Sequence, residues 1–211
     1  GKITGSWKSH TDDLDSELFK HDFDMNGWEY IHRFLNIKNT IPNASAVLFK
    51  KQTYLQIEGA CSHLNLIGDW SVWAKIVSRG DIHFSSRCLN DFRYHATSVI
   101  ATAKQTSGPF RLRRQIILFR SEISNFWQHH LSDSELTPQI YKKNKIFLYK
   151  EVVRNCSFAI RRRHFEEIIP TIRDACNILP VYLLPIFMFK MAIKLIYSII
   201  FDAPIKNLLK K

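Results

Sequence analysis

At 211 residues the chain is sized for one domain, or for one domain with a helical extension, and 45% apolar residues suffice for a sizeable core. Seven glycines and seven prolines exclude a disordered or low-complexity chain. The net charge of +11 is uneven: residues 1–103 hold 11 Lys/Arg and 11 Asp/Glu, whereas residues 104–211 hold 19 and 8, so the whole excess lies in the second half.

A basic half calls for an anionic partner: a membrane surface, a nucleic acid or a phosphorylated ligand. The interleaved aromatics and glycines of common RNA-binding motifs are missing, so nucleic acid is not expected. Cys61, Cys88, Cys156 and Cys176 are far apart and form no C-x-x-C pair. Neither a disulfide framework nor a cysteine metal site is expected, and a reducing compartment is the default. The sequons at Asn43 and Asn155 are short patterns that carry little weight without a secretory signal.

Residues 6–24 are polar and acidic and read as a solvated loop leading into a helix. Asn26-Gly27 marks a turn. Trp28 to Ile37 reads as a short helix with Ile31, Phe34 and Leu35 on its apolar side. A polar loop from Asn39 to Ser45 follows. Ala46-Val47-Leu48-Phe49 reads as a buried strand, and a short helix runs from Lys50 towards Gly59. Leu64 to Trp70 leads into a helix with Asp69 at its start. Trp70, Trp73, Ala74 and Val77 share one face of it, and Gly80 is its expected cap. Ile82-His83-Phe84 and Leu89 to Tyr94 read as short strands, so this half is α/β.

From Ala101 the pattern turns helical. Ile116, Phe119, Ile123, Phe126, Trp127 and His130 recur at a spacing of three to four, and Ile146–Ile160 and Phe165–Ile178 repeat it less cleanly. Arg161-Arg162-Arg163 is the densest basic cluster, either a solvated helix face or a contact for anions. Residues 178–201 form a 24-residue apolar stretch broken by Lys190 and Lys194. As a helix this stretch would be roughly 36 Å long. Two central lysines, at about 3 kcal/mol each, cancel most of its insertion energy. It fits a helix lying in the membrane interface, with a packed core helix and a span as alternatives.

Four blocks carry a resemblance: Asn26 to Ile31, Lys38 to Lys50, Gly68-Asp-Trp-Ser-Val-Trp73, and Leu89-Asn-Asp-Phe-Arg-Tyr-His95 with Ser98. In this order they resemble bacterial family 2 glycosyltransferases. The resemblance covers residues 26–99, about a third of the chain. It implies an α/β fold: residues 1–103 as the C-terminal, acceptor-side half of a GT-A-like domain, and residues 104–211 as a mainly α-helical extension. The nucleotide-binding strands and the D-x-D metal motif would lie upstream of Gly1. Asp13-Leu14-Asp15 ends no apolar strand and is not assigned to that motif.

By the same resemblance Asp69 is the catalytic base, with Trp70 and Trp73 as its aromatic partners; capping of its helix is the simpler role for the aspartate. Gly68 stands where many members have an acidic residue. Arg93 and His95 match an Arg-x-His segment near the donor pyrophosphate, unless His95 is a core histidine. Asn39 and Asn43 face the cleft or close their own loop by hydrogen bonds. No metal ligands are expected in this chain; a divalent Mg or Mn would be held mostly upstream.

The implied activity is inverting transfer from a nucleotide-sugar donor to a glycan or lipid-linked acceptor in envelope polysaccharide synthesis. The basic, apolar second half suggests a cytoplasmic enzyme, peripheral on the inner face of an anionic membrane. Residues 1–211 alone are expected to be inactive. The alternative is a non-catalytic scaffold of the same fold at the membrane surface.

Overall fold

A computed structural model describes residues 5–41, 43–93, 108–129, 135–176, 189 and 192–193. The described chain is mixed α/β and mostly helical, with one two-stranded sheet. Strand β1, Phe23–Asn26, pairs antiparallel with β2, Asp81–Phe84, in the register Phe23↔Phe84 and Met25↔Ile82. Both strands alternate, which puts Phe23, Met25, Ile82 and Phe84 on one face against the core. Phe23 stacks on Phe84 at 5.1 Å, and Phe19 meets both rings edge-on. The other face is exposed and carries the Asp24–His83 contact at 2.9 Å.

Asn26 ends β1 and caps helix α1, Gly27–Tyr30, accepting the N–H groups of Trp28 and Glu29 on its Oδ1 at 3.0 and 3.4 Å. The helix widens into a π-helical turn over Ile31–Leu35, which buries Ile31, Phe34 and Leu35 and leaves Arg33 outside on Glu29 and Asp15. Gly27 is a close-approach residue: a Cβ there would stand 1.8 Å from the Val77 carbonyl oxygen and 2.1 Å from that of Gly80. Main-chain oxygens cannot swing aside, so Gly27→Ala is expected to cost about 3 kcal/mol or more. A thermal melt within two degrees or so of wild type would contradict the close approach.

Helix α2 spans Lys51–Gln56 and α3 spans Gly68–Val77. The expected strand at Ala46–Phe49 is absent. Ala44–Ala46 is a 3-10 turn opened by the Asn43 side chain, and Leu48 is fully exposed. Its apolar run is too short and too open to be covered on both sides. Leu89–Arg93 likewise forms no strand, and Tyr94 lies outside the described residues. Ser78, not Gly80, is the residue that ends α3.

The described part of the second half is mainly helical: α4 covers Gly108–His129, α5 Thr137–Arg162 and α6 Ile168–Cys176. Helices α4 and α5 run antiparallel, since Arg120 meets Asn144 and Phe110 meets Phe158. Helix α6 packs across them through Arg114–Asp174 at 2.8 Å and Asn155–Thr171 at 2.8 Å. A small core of Ile117, Leu148, Val152, Cys156, Ile160 and Ala175 fills this bundle. Burial raises the Cys156 thiol to about 12, so it serves as a packing residue.

One larger core crosses residue 103. Ile31, Leu35, Trp70 and Trp73 pack with Phe119, Ile123 and Trp127 of α4 and Ile140 of α5. The joint is polar at its centre. Arg120, 3% exposed, donates to the carbonyls of Asn36 and Ile37 and to the side-chain oxygens of Asn36 and Asn144. Its guanidinium also lies over the rings of Trp70, Phe119 and Phe147. Desolvation lowers its pKa to about 10, which still leaves it charged at neutral pH. Among the described residues no helix is long and apolar enough to cross a membrane. Segment 178–201 lies outside the described residues apart from Phe189, Ala192 and Ile193, all exposed.

Candidate functional site

Asp69 occupies the first turn of α3, one residue inside its start. Ile67 is the N-cap and offers no side-chain bond. The Asp69 Oδ1 accepts the N–H of Trp70 at 2.7 Å, so the carboxylate does part of a cap's work from within the helix. The side chain is half-buried. Burial pushes its pKa above the ordinary aspartate value, while the Trp70 N–H and the Asn39 side chain pull in the other direction. A carboxylate so placed is a stronger base than a solvated one.

The two tryptophans stand behind the carboxylate, inside the core. Trp70 donates its indole N–H to the Leu35 carbonyl at 2.9 Å and stacks on Phe119 at 4.5 Å. Trp73 lies against Phe49 at 5.7 Å. Both are under 10% exposed. They hold α3 from beneath and thereby fix the direction of Asp69.

Asn39 joins Asp69 to a longer chain of contacts. Its Oδ1 accepts the Ile41 N–H at 3.1 Å, its side chain also bonds Asp69, and its carbonyl meets His10 Nε2 at 2.9 Å. The neighbouring Lys38 donates to the His10 carbonyl and to Asp13. His10 meets Trp7 edge-on at 5.0 Å, and Trp7 meets Phe92 at 6.3 Å. Asn90, two residues before Phe92, accepts from Asn43 at 2.5 Å. Asn43 itself closes its turn by accepting the Ser45 N–H at 3.0 Å. Asn43 thus touches the Leu89–Arg93 segment directly, whereas Asp69 touches Asn39 and reaches that segment only through His10 and Trp7. Arg93 is exposed beside Phe92; His95 and Ser98 lie outside the described residues.

Trp7, His10 and Asn90 are members that sequence reasoning did not single out. Trp7 and His10 frame a 3-10 turn, and their spacing of three is the signal that could have paired them. Trp7 and Phe92 remain 41% and 45% exposed, which leaves aromatic surface at the far end of this chain of contacts.

The carboxylates of the acidic segment pair with nearby cations and main-chain N–H groups. Asp13 pairs with Lys38 at 2.8 Å, and Asp15 accepts the N–H groups of Glu17 and Leu18 and pairs with Arg33. These bonds hold both carboxyls below their usual pKa and engage Asp13 Oδ1 and both oxygens of Asp15. Among the described residues no group of three or more His, Cys, Asp and Glu side chains is placed to hold a metal ion.

A second polar cluster joins α3 to α4. Glu122 Oε1 lies 2.8 Å from Lys75 Nζ and accepts from the Cys61 thiol and from Ser71. His63 Nε2 stands 3.0 Å from the other oxygen without hydrogen-bond geometry. Burial works against the Glu122 charge, but Cys61 and Lys75 outweigh it and hold the carboxyl below its usual value. Burial, with Glu122 beside it, keeps the Cys61 thiol protonated. This carboxylate is committed to a cation and is a weak base; Asp69 has no cation among the causes of its shift.

Comparison with protein-family models, with curated proteins and with solved structures found no match to this chain.

Proposed function

We propose that the chain carries the acceptor side of a GT-A-type glycosyltransferase, with Asp69 as the base of an inverting transfer. The acceptor hydroxyl oxygen forms its bond to the anomeric carbon of a nucleotide sugar. The bond from that carbon to the diphosphate oxygen breaks, with its electron pair leaving on the nucleotide, and the hydroxyl proton passes to Asp69. The observation that carries this reading is the carboxylate itself. It is half-buried, has no neutralising cation among the described residues and is turned up in pKa by that burial.

The surroundings support the assignment. Asn39 orients the carboxylate, and Trp70 and Trp73 hold its helix from below. Trp7 and Phe92 offer aromatic faces on which an acceptor sugar can rest. Arg93, with a planar fork suited to phosphate, lies at the same edge as Phe92 and is the residue we assign to the donor diphosphate. Asp13 and Asp15 are spent on Lys38 and Arg33, so no step in this scheme runs through a metal on them.

The test is transfer from radiolabelled nucleotide sugars to an envelope-glycan extract by the whole gene product, wild type against Asp69→Asn. Transfer at the wild-type rate by the variant sinks the reading. A pH–rate profile adds a check. Because burial raises the Asp69 pKa, the acid limb should fall at a higher pH than an ordinary aspartate would give.

A further inference from the structure

Helix α5 ends on Arg161, Arg162 and Arg163, all three exposed. Arg163 takes left-handed backbone, φ 61° and ψ 31°. The turn closes as the His164 N–H bonds the Ala159 carbonyl at 2.9 Å and the Arg163 N–H bonds that of Ile160 at 3.1 Å. Glycine is the usual residue at this position, because any Cβ strains it. An arginine in this strained conformation points to a use for its side chain.

The chain then folds back and presents apolar surface beside these charges. Ile168 and Ile172 face the bundle, whereas Phe165 is 52% and Ile169 77% exposed. Arg113 of α4 joins the same end, since its guanidinium and that of Arg162 lie 5.1 and 5.5 Å from the ring of Phe158. The opposing carboxylates are few. Glu166 is bonded to His164 at 2.8 Å, Glu167 is half-buried, and Asp174 is bound to Arg114.

We infer that this end of the helical bundle docks on an anionic lipid surface. The guanidiniums meet headgroup phosphates, while Phe165 and Ile169 enter the boundary between headgroups and acyl chains. Charge complementarity favours any polyanion, but the exposed isoleucine and phenylalanine beside the arginines favour lipid over nucleic acid. The chain also runs from α6 directly into the apolar sequence 178–201. The inference is independent of the chemistry assigned to Asp69.

Flotation of the 211-residue chain with vesicles tests it. Binding is expected to be far tighter to mixed phosphatidylcholine–phosphatidylglycerol vesicles than to phosphatidylcholine alone. Changing Arg161, Arg162 and Arg163 together to Gln should weaken binding about a hundredfold, at about fivefold per charge. Ile169→Ser should weaken it and Ile169→Trp strengthen it; the side chain is exposed, so neither change disturbs the fold. Arg163→Gly should weaken binding about fivefold while raising the melting temperature, which separates the role of the charge from that of the fold. Wild-type binding by the triple variant overturns the inference, as does equal binding to neutral vesicles or tighter binding of a random RNA oligonucleotide. Asp69→Asn should bind vesicles as wild type does, so failure here and failure of the transferase reading remain distinct.

Discussion

Asp69→Asn is expected to lower transfer about a thousandfold, the usual worth of a positioned base, and to make the folded chain more stable at neutral pH. The second effect follows from linkage. The folded-state pKa of Asp69 lies above its unfolded value because burial penalises the charge. Its protonated form therefore favours folding. That contribution is complete below the unfolded pKa and is lost as pH rises through the folded one. At pH 7 the wild type carries the penalty, whereas asparagine, neutral at every pH, escapes it and keeps an oxygen for the Trp70 N–H. Below the ordinary aspartate range both side chains are neutral and the difference in stability should close. Urea titrations at pH 7 and at pH 3 measure it. A variant that loses both activity and stability would make Asp69 a structural residue.

Arg120→Ala should be the most destabilising change in the helical half, by about 3 kcal/mol or more, from breaking a buried hydrogen-bond network and opening a cavity. The loss has two sources. Four oxygens, on Asn36, Ile37 and Asn144, would lose their donor, and each buried acceptor left alone costs about 1–3 kcal/mol before relaxation. A hole would also open between Trp70, Phe119 and Phe147. Arg120→Lys should recover only part of the loss, since one ammonium cannot reproduce the planar fork. The unfolding midpoint in urea decides this, and a variant within about 1 kcal/mol of wild type would contradict it. The effect should reach the site, because Asn36 and Ile37 lead directly to Asn39.

What the sequence disclosed was mostly periodicity. The spacing of Ile116, Phe119, Ile123 and Trp127 located α4, and Trp70, Trp73 and Val77 located α3, because each stripe packs into the core, Ile116 at its edge. The short elements were less legible. Ala46–Phe49 has the composition of a strand, yet nothing pairs with it and Leu48 points into solvent. Phe23–Asn26 is a strand whose four residues offer one alternation, and it becomes clear only against its partner Asp81–Phe84. The site was legible in part. Asp69, Asn39 and Asn43 stand out as types and spacings, but their link through His10, Trp7, Phe92 and Asn90 depends on contacts between residues 29 to 85 positions apart. The role of Arg120 was hidden for the same reason: two of its four acceptors are main-chain carbonyls, which no residue letter announces, and the side-chain oxygens of Asn36 and Asn144 lie far off in sequence.

Those carbonyls also set an order of events during synthesis. Arg120 follows Asn36 by 84 residues. At ribosomal speed, about 5–20 residues per second, the loop that carries Asn39 waits on the order of ten seconds for the side chain that pins it. Through that interval the apolar faces of Ile31, Leu35 and Trp70 have no α4 to cover them. The nascent first half therefore keeps these apolar faces open until α4 has emerged from the ribosome, and slowing synthesis after that point, not as Arg120 is added, would favour its closure.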